Sequence, residues 1–232
     1  MSGSEITVSG PDGEFMAYLA TPASGSGPGV VVAQEIFGVN GVMRASCDWL
    51  ADNGYLALCP DLFWRQEPGI QLTDQSEADW ERAFELYQGF DVDKGVEDLR
   101  ASIETLRGSA GCSGQVGGLG YCLGGLLAYL MATRTGSGCS VGYYGVGIQD
   151  RLDEAGNIGH PLMLHVASED GFVPKEAQAA MAAGLAGNAH VTVHTYPGMD
   201  HAFARPGGEH YDADAAQLAN ARTIEFLGAS LG

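Results

Sequence analysis

The chain has 232 residues, 45% of them hydrophobic, which suits one domain with a sizeable core and is too apolar for a disordered protein. Its 29 acidic residues against 11 basic ones give a formal net charge of −18, which repels phosphate backbones and argues against nucleic-acid binding. Only Lys94 and Lys175 are lysines, and an acidic, lysine-poor surface points to adaptation to salt, with an ordinary acidic protein as the alternative.

Residues 6–9 and 15–21 read as two short strands joined by the turn Pro11-Asp12-Gly13. A loop at 24–28 leads to Gly29-Val-Val-Val-Ala33, the continuous β-branched run of a strand buried on both faces. Met43, Cys47 and Leu50 fall at i, i+4 and i+7, which predicts a helix over 42–53, stopped by Gly54. Residues 55–59 form the next strand, ended by Pro60, and 65–74 is irregular. Helices are predicted at 76–87, 92–106, 123–133, 174–185 and 213–227. Strands are predicted at 115–120, 140–144, 161–167 and 191–196.

This alternation predicts an α/β fold with a mostly parallel central sheet flanked by helices on both faces. No repeat, low-complexity tract or linker divides it, so residues 1–232 are expected to be a single domain. The five cysteines, Cys47, Cys59, Cys112, Cys122 and Cys139, are odd in number and lack paired spacing, against a disulfide framework or zinc ribbon. The N-terminal segment has no basic start and no apolar stretch, so no signal peptide is expected, and no apolar run reaches transmembrane length. The expectation is a cytoplasmic monomer that binds neither membrane nor nucleic acid.

The segment Gly118-Leu-Gly-Tyr-Cys-Leu-Gly-Gly125 carries the chemistry. Gly120-x-Cys122-x-Gly124 at a strand–helix junction has the form of the G-x-S-x-G nucleophile elbow with sulfur in place of oxygen. The nucleophile of such an elbow sits on a strained turn that crowds the residues two before and two after it, and glycine relieves the crowding. The turn aims Cys122 at a helix N-terminus, where free N–H groups stabilise a thiolate. A buried structural cysteine in a packing turn is the competing reading. It is weakened by the downstream order, because an elbow nucleophile is followed by an acid and then a histidine. Asp170 lies just past the strand at 161–167, preferred over Glu169 because D-x-x-V-P caps such a turn. His201 lies in the loop after the strand at 191–196. Asp200 beside it is expected to point away. His190 and His194 share a strand face without a third ligand, His165 reads as a hydrogen-bonded core residue, and His160 and His210 lie in a turn and a loop.

At this point the chain resembles the dienelactone hydrolase family. The matching segments are Ala33-Gln-Glu-Ile-Phe-Gly-Val-Asn40, Cys59-Pro-Asp-Leu-Phe63, Gly120-Tyr-Cys-Leu-Gly-Gly125, Gly142-Tyr-Tyr-Gly-Val-Gly147 and Gly198-Met-Asp-His-Ala-Phe-Ala-Arg205. The resemblance implies an α/β-hydrolase fold, no cofactor and no metal, and hydrolysis of a small-molecule ester or lactone. It implies Cys122 as nucleophile, His201 as base and then acid, Asp170 as its orienter, and Glu35 as the residue that holds the resting thiol and takes its proton. It also implies an oxyanion hole formed by the backbone N–H groups of Ile36 and Leu123.

The chain departs from the family's pattern around the substrate. Arg205 matches one of two arginines that clamp a substrate carboxylate, but the other position reads Trp80. A tyrosine expected one turn later is Phe84, and Ala202 stands where serine often follows the histidine. Arg82, two positions from Trp80, faces elsewhere on a helix. Losing one arm of a buried charged clamp costs about 2–5 kcal/mol of recognition. Tyr144, Phe37 and Phe172 are expected to line the same pocket, with plain core packing as the alternative. The substrate expected is therefore a less anionic one: a neutral lactone, an aryl ester or an activated ester. A general carboxylesterase or thioesterase, a binding protein that keeps the fold without turnover, and a redox cysteine are the competing functions. Steady-state rates on a carboxylated dienelactone and on p-nitrophenyl acetate separate these substrates. Comparable or better turnover of the neutral ester is expected, and a large preference for the carboxylated lactone would overturn the expectation.

Overall fold

The computed structural model describes residues 3–232, which cluster into two compact units divided between Gly117 and Gly118, inside a strand. Eight strands form a mixed sheet: β1 (Ser4–Gly10), β2 (Gly13–Ala20), β3 (Gly27–Ala33), β4 (Leu56–Pro60), β5 (Cys112–Tyr121), β6 (Ser140–Tyr143), β7 (Leu162–Ala167) and β8 (Val191–Tyr196). Their order in the sheet is β1-β2-β4-β3-β5-β6-β7-β8. The helices are α1 (Gly41–Asp52), α2 (Glu77–Gln88), α3 (Val92–Arg107), α4 (Leu123–Arg134), α5 (Lys175–Leu185) and α6 (Ala213–Leu231).

In the first unit, β1 and β2 form an antiparallel hairpin, β2 pairs antiparallel with β4, and β4 runs parallel to β3. Val30 through Ala33 are fully buried, as a strand covered on both faces requires. Asn40 caps α1, its Oδ1 accepting from the N–H groups of Val42 and Met43 at 3.1 Å each. Met43, Cys47 and Leu50 make the buried stripe that their spacing predicts. A buried charge cluster lies beside α3. The Asp98 carboxylate, fully buried, accepts from Trp64 Nε1 at 2.9 Å and from both Arg65 terminal nitrogens at 2.5 and 3.0 Å.

In the second unit β5, β6, β7 and β8 are all parallel, with Gly120 opposite Gly142 and Ala167 opposite Tyr196. Their C-terminal ends therefore share one edge. α4 is apolar all round, buried from Leu123 to Ala132, and packs against β6. His165 is a satisfied core residue: Nδ1 meets Tyr196 Oη at 2.8 Å and Nε2 meets Thr223 Oγ1 at 3.0 Å. Burial lowers its pKa to about 3, so the ring is neutral.

Three elements differ from expectation. Residues 148–157 form a 3-10 segment, kinked at Arg151, which a search for 3.6-residue periodicity does not reveal. β5 starts at Cys112, because Ser113, Gly114 and Gln115 are exposed and carry no apolar alternation. α6 runs through Gly228 to bury Leu231, so that glycine does not stop it.

Arg65→Ala leaves the Asp98 carboxylate buried with one neutral donor. A loss of about 3 kcal/mol in unfolding free energy is expected, measurable by urea denaturation.

Candidate active site

β5 ends at Tyr121 and α4 begins at Leu123, which leaves Cys122 alone at the turn with φ 56° and ψ −115°. A side-chain-bearing residue held in such a sparsely populated conformation costs on the order of 1–3 kcal/mol and persists only where its surroundings fix it. Here they do. The Cys122 N–H donates to the Tyr143 carbonyl at 3.1 Å, and its own carbonyl accepts from Gly125 at 2.9 Å and Leu126 at 3.3 Å. The flanking glycines are dictated by space. A Cβ on Gly120 would overlap the Gly124 carbonyl, and one on Gly125 would lie 2.6 Å from both Gly145 Cα and the Tyr143 oxygen. The result is a half-buried thiol at a helix N-terminus, where the first N–H groups, Leu123's among them, have no carbonyl of their own helix to bond.

Asp170 sits in the turn between β7 and α5, 5% exposed. Its Oδ1 accepts from the N–H groups of Phe172 at 2.8 Å and Val173 at 3.2 Å, which closes the turn. His201, 4% exposed, follows β8, and its Nδ1 donates to Asp170 Oδ2 at 2.9 Å and Oδ1 at 3.1 Å. The imidazole is packed edge-on by Tyr144 and Phe172, with ring centroids 5.0 and 4.9 Å away. Tyr144 and Ala202 also adopt positive φ, 38° and 62°. Arg205 is buried one turn further along the same loop, its N–H bonded to the Ala202 carbonyl at 2.9 Å.

The electrostatics join these groups. Burial alone disfavours an imidazolium at His201. The neighbouring Cys122 sulfur and the Asp170 carboxylate outweigh that penalty and raise the His201 pKa to about 10. The Nε2 nitrogen is buried and makes no hydrogen bond of normal geometry among the described residues, so the neighbouring sulfur acts on it mainly through charge. The second unit thus brings together Cys122, His201 and Asp170, with Leu123, Tyr144, Phe172 and Ala202 around them.

In the first unit Glu35 and Ile36 follow β3 and are buried. Their loop is tightly fastened. Gln34 accepts from the Leu62 N–H at 3.0 Å and donates to the Glu35 carbonyl at 3.3 Å. Phe37 accepts from the Leu72 N–H at 2.9 Å, and Asn40 donates to the Leu72 carbonyl at 2.9 Å. Phe37 meets Trp80 edge-on and Trp80 stacks on Phe84, with centroids 5.0 and 5.5 Å apart. Trp80 Nε1 is bonded to the Asp74 carbonyl at 3.1 Å. Arg82 turns to Glu67 and Glu85, 2.6 Å from each, as its helical position predicts.

Two neighbours of the histidine were not expected to take part. The Asp200 carboxylate, partly buried, accepts from the His201 and Gly171 N–H groups, which outweigh burial and lower its pKa. His210 donates from Nδ1 to the His201 carbonyl at 3.2 Å. An aspartate beside a histidine gives no sign in sequence of which N–H groups it will reach. His190 is exposed in the turn before β8, and His194 lies on that partly exposed strand, stacking on His165 at 5.8 Å. Among the described residues no cluster of three or more metal-binding side chains occurs, and no helix is long and apolar enough to cross a membrane.

The model of the dienelactone hydrolase family matches residues 15–231, continuously across both units. A carboxymethylenebutenolidase homologue from Azospirillum brasilense is 50% identical over 228 residues, covering 96% of each chain. The carboxymethylenebutenolidase of Pseudomonas putida is 43% identical over 223 residues, covering 96% of this chain and 94% of that one. The crystal structure of a dienelactone hydrolase homologue from Klebsiella pneumoniae subsp. pneumoniae superposes with a TM-score of 0.86 at 25% identity, over 97% of this chain and 98% of that one.

Because the His201 pKa is raised in the folded state, its contribution to stability is complete below the ordinary value of 6.5 and is lost as pH rises through about 10. The unfolding free energy that separates the native chain from Cys122→Ser is therefore expected to shrink between those limits. In the same variant the His201 ring, followed by NMR, is expected to titrate well below about 10.

Proposed function

This chain belongs to the dienelactone hydrolase family of carboxylic ester hydrolases, with an α/β-hydrolase fold, and from that premise we propose that it opens an ester or enol lactone through a thioester on Cys122. What carries the reading is the buried His201 ring, its Nδ1 bonded to the Asp170 carboxylate at 2.9 Å and its pKa raised by the neighbouring Cys122 sulfur.

The Cys122 thiolate attacks the substrate carbonyl, and the oxyanion is met by the N–H of Leu123 at the start of α4. As the tetrahedral intermediate collapses, the leaving oxygen takes the Nε2 proton of His201 and the thioester remains. The neutral imidazole then takes a proton from water, which attacks the thioester. Expulsion of the thiolate, with the proton kept on Nε2, restores the starting pair. Asp170 keeps the ring oriented and its proton-bearing nitrogen fixed in both directions of transfer. In a lactone the leaving group stays tethered, and an enolate can itself activate the water. A thiolate is also readily expelled backwards, so good leaving groups are favoured over plain alkyl esters and amides.

Glu35 and Ile36 enter this reading from the family resemblance: when substrate binds, Glu35 takes the proton of the resting thiol and leaves the thiolate that attacks, and the Ile36 N–H is the second oxyanion donor. Their burial in a loop fixed by Gln34 and Asn40 is the rigidity such roles need. For the substrate, the stack of Trp80 on Phe84, with Phe37 edge-on to it, supports an apolar acyl or aryl group, with Arg205 as the single matched arm of a carboxylate clamp. Phe172 and Tyr144 serve the same end beside His201. That stack also favours the second reading, a carboxylesterase or thioesterase of broader range. Residues 1–232 are taken as one catalytic domain, active as a monomer and without cofactor or metal.

Cys122→Ala is expected to lower kcat by a factor on the order of 10⁶, as removal of a triad nucleophile does, and turnover that survives it would overturn the proposal. Glu35→Gln, assayed alongside, is expected to slow alkylation of the thiol in the presence of a slow substrate more than in its absence.

A further inference from the structure

β7 and β8 pair in parallel up to Ala167 and Tyr196. Beyond that point the two chains diverge into the turn that holds Asp170 and the loop that holds His201. Two backbone bonds continue the pairing: Ser168 N–H to the Tyr196 carbonyl at 3.1 Å and Glu169 N–H to the Met199 carbonyl at 2.8 Å. The next residues are the reactive ones, and there the backbone pairing stops. Ala202, with φ 62°, turns the chain away.

A side chain supplies the next connection. Asp200 Oδ1 accepts from the His201 N–H at 2.6 Å and from the Gly171 N–H at 3.0 Å. These donors belong to the histidine and to the residue directly after the acid. The other carboxylate oxygen lies 3.8 Å from His210 Nε2, and His210 Nδ1 donates to the His201 carbonyl at 3.2 Å. Both backbone polar groups of His201 are thus held by side chains, and one of those side chains also holds the acid turn.

We propose that Asp200 is a positioning residue, which fastens the Asp170 turn to the His201 loop and so sets the register between the acid and the imidazole. The inference rests on the Cys122–His201–Asp170 reading above. A carboxylate suits the task because an ionised acceptor makes stronger hydrogen bonds to N–H groups than a carbonyl does. Its effect reaches the substrate only through His201: a small drift of the ring off the Asp170 carboxylate tilts Nε2 away from the sulfur and the leaving oxygen. Displacements on the order of 1 Å at such a site cost about 10²-fold in rate.

The test is Asp200→Ala against Asp200→Asn, assayed on p-nitrophenyl acetate, with the downfield NMR resonance of the His201 Nδ1 proton followed in each. The alanine variant is expected to lose about 10- to 100-fold in kcat with KM changed less than about two-fold, and to lose or broaden that resonance. The asparagine variant keeps the accepting oxygen in place and is expected to recover most of the loss and the resonance. Should Asp200→Ala fail to fold, Asp200→Ser, whose shorter oxygen cannot reach both donors, takes its place. The inference is overturned if the truncated variant keeps kcat within two-fold. It is equally overturned if asparagine is as impaired as alanine, or if the resonance is unchanged while only the melting temperature falls. Failure of the underlying reading shows separately, as turnover that survives Cys122→Ala.

Discussion

The backbone of Cys122 is the constraint on which the second unit is built. A residue with a side chain held at φ 56° is stable only if its neighbours leave it no alternative. Gly120 and Gly125 yield the space, the Tyr143 carbonyl takes the N–H, and Gly145 lies close to Gly125. The parallel pairing of β5 through β8 then sets where the partners emerge. All four strands end on the same edge, so the residues after β7 and β8 are delivered beside the turn after β5. An acid and a histidine from those loops need only short excursions to reach the thiol. The same geometry explains why the loop between β7 and α5 is closed on Asp170 by two N–H bonds: the carboxylate must be fixed before it can fix anything else.

Most of this was legible in the sequence, for identifiable reasons. Gly120 and Gly125 are required by close contacts that leave no room for a side chain, so their positions carry structural information. Val30 to Ala33 and the stripe Met43, Cys47, Leu50 follow from burial alone. The order Cys122, Asp170, His201 reflects strand order. What could not be read depends on where side chains point in three dimensions. Asp200 was expected to point away, and its bonds to the N–H groups of Gly171 and His201 depend on how two loops meet. The 3-10 segment 148–157 has no helical period to detect, and Gly228 continues α6 because Leu231 is buried beyond it.

The two units divide the physics between them. The second holds the charged and strained groups, with three non-glycine residues at positive φ: Cys122, Tyr144 and Ala202. The first holds Phe37 on a loop tied down by Gln34 and Asn40, edge-on to the stacked Trp80 and Phe84 of α2, together with an ion cluster centred on a fully buried aspartate. Rigidity there comes from hydrogen bonds between neighbouring loops, with one isolated antiparallel bridge between Gly38 and Gln71, because the segment 61–70 has little regular structure. A loop stapled in this way changes shape reluctantly, which is what fixed backbone donors and a shaped apolar surface require.

The second unit also buries two histidines in opposite states. His165 is kept neutral, with a pKa lowered to about 3, while His201 is kept protonated to about 10. Between those values neither interior imidazole changes its charge in the resting protein. These two rings therefore keep a fixed charge pattern across the whole neutral range. In this chain the residue type most given to sensing pH has been made insensitive to it twice, once by taking the charge away and once by locking it in.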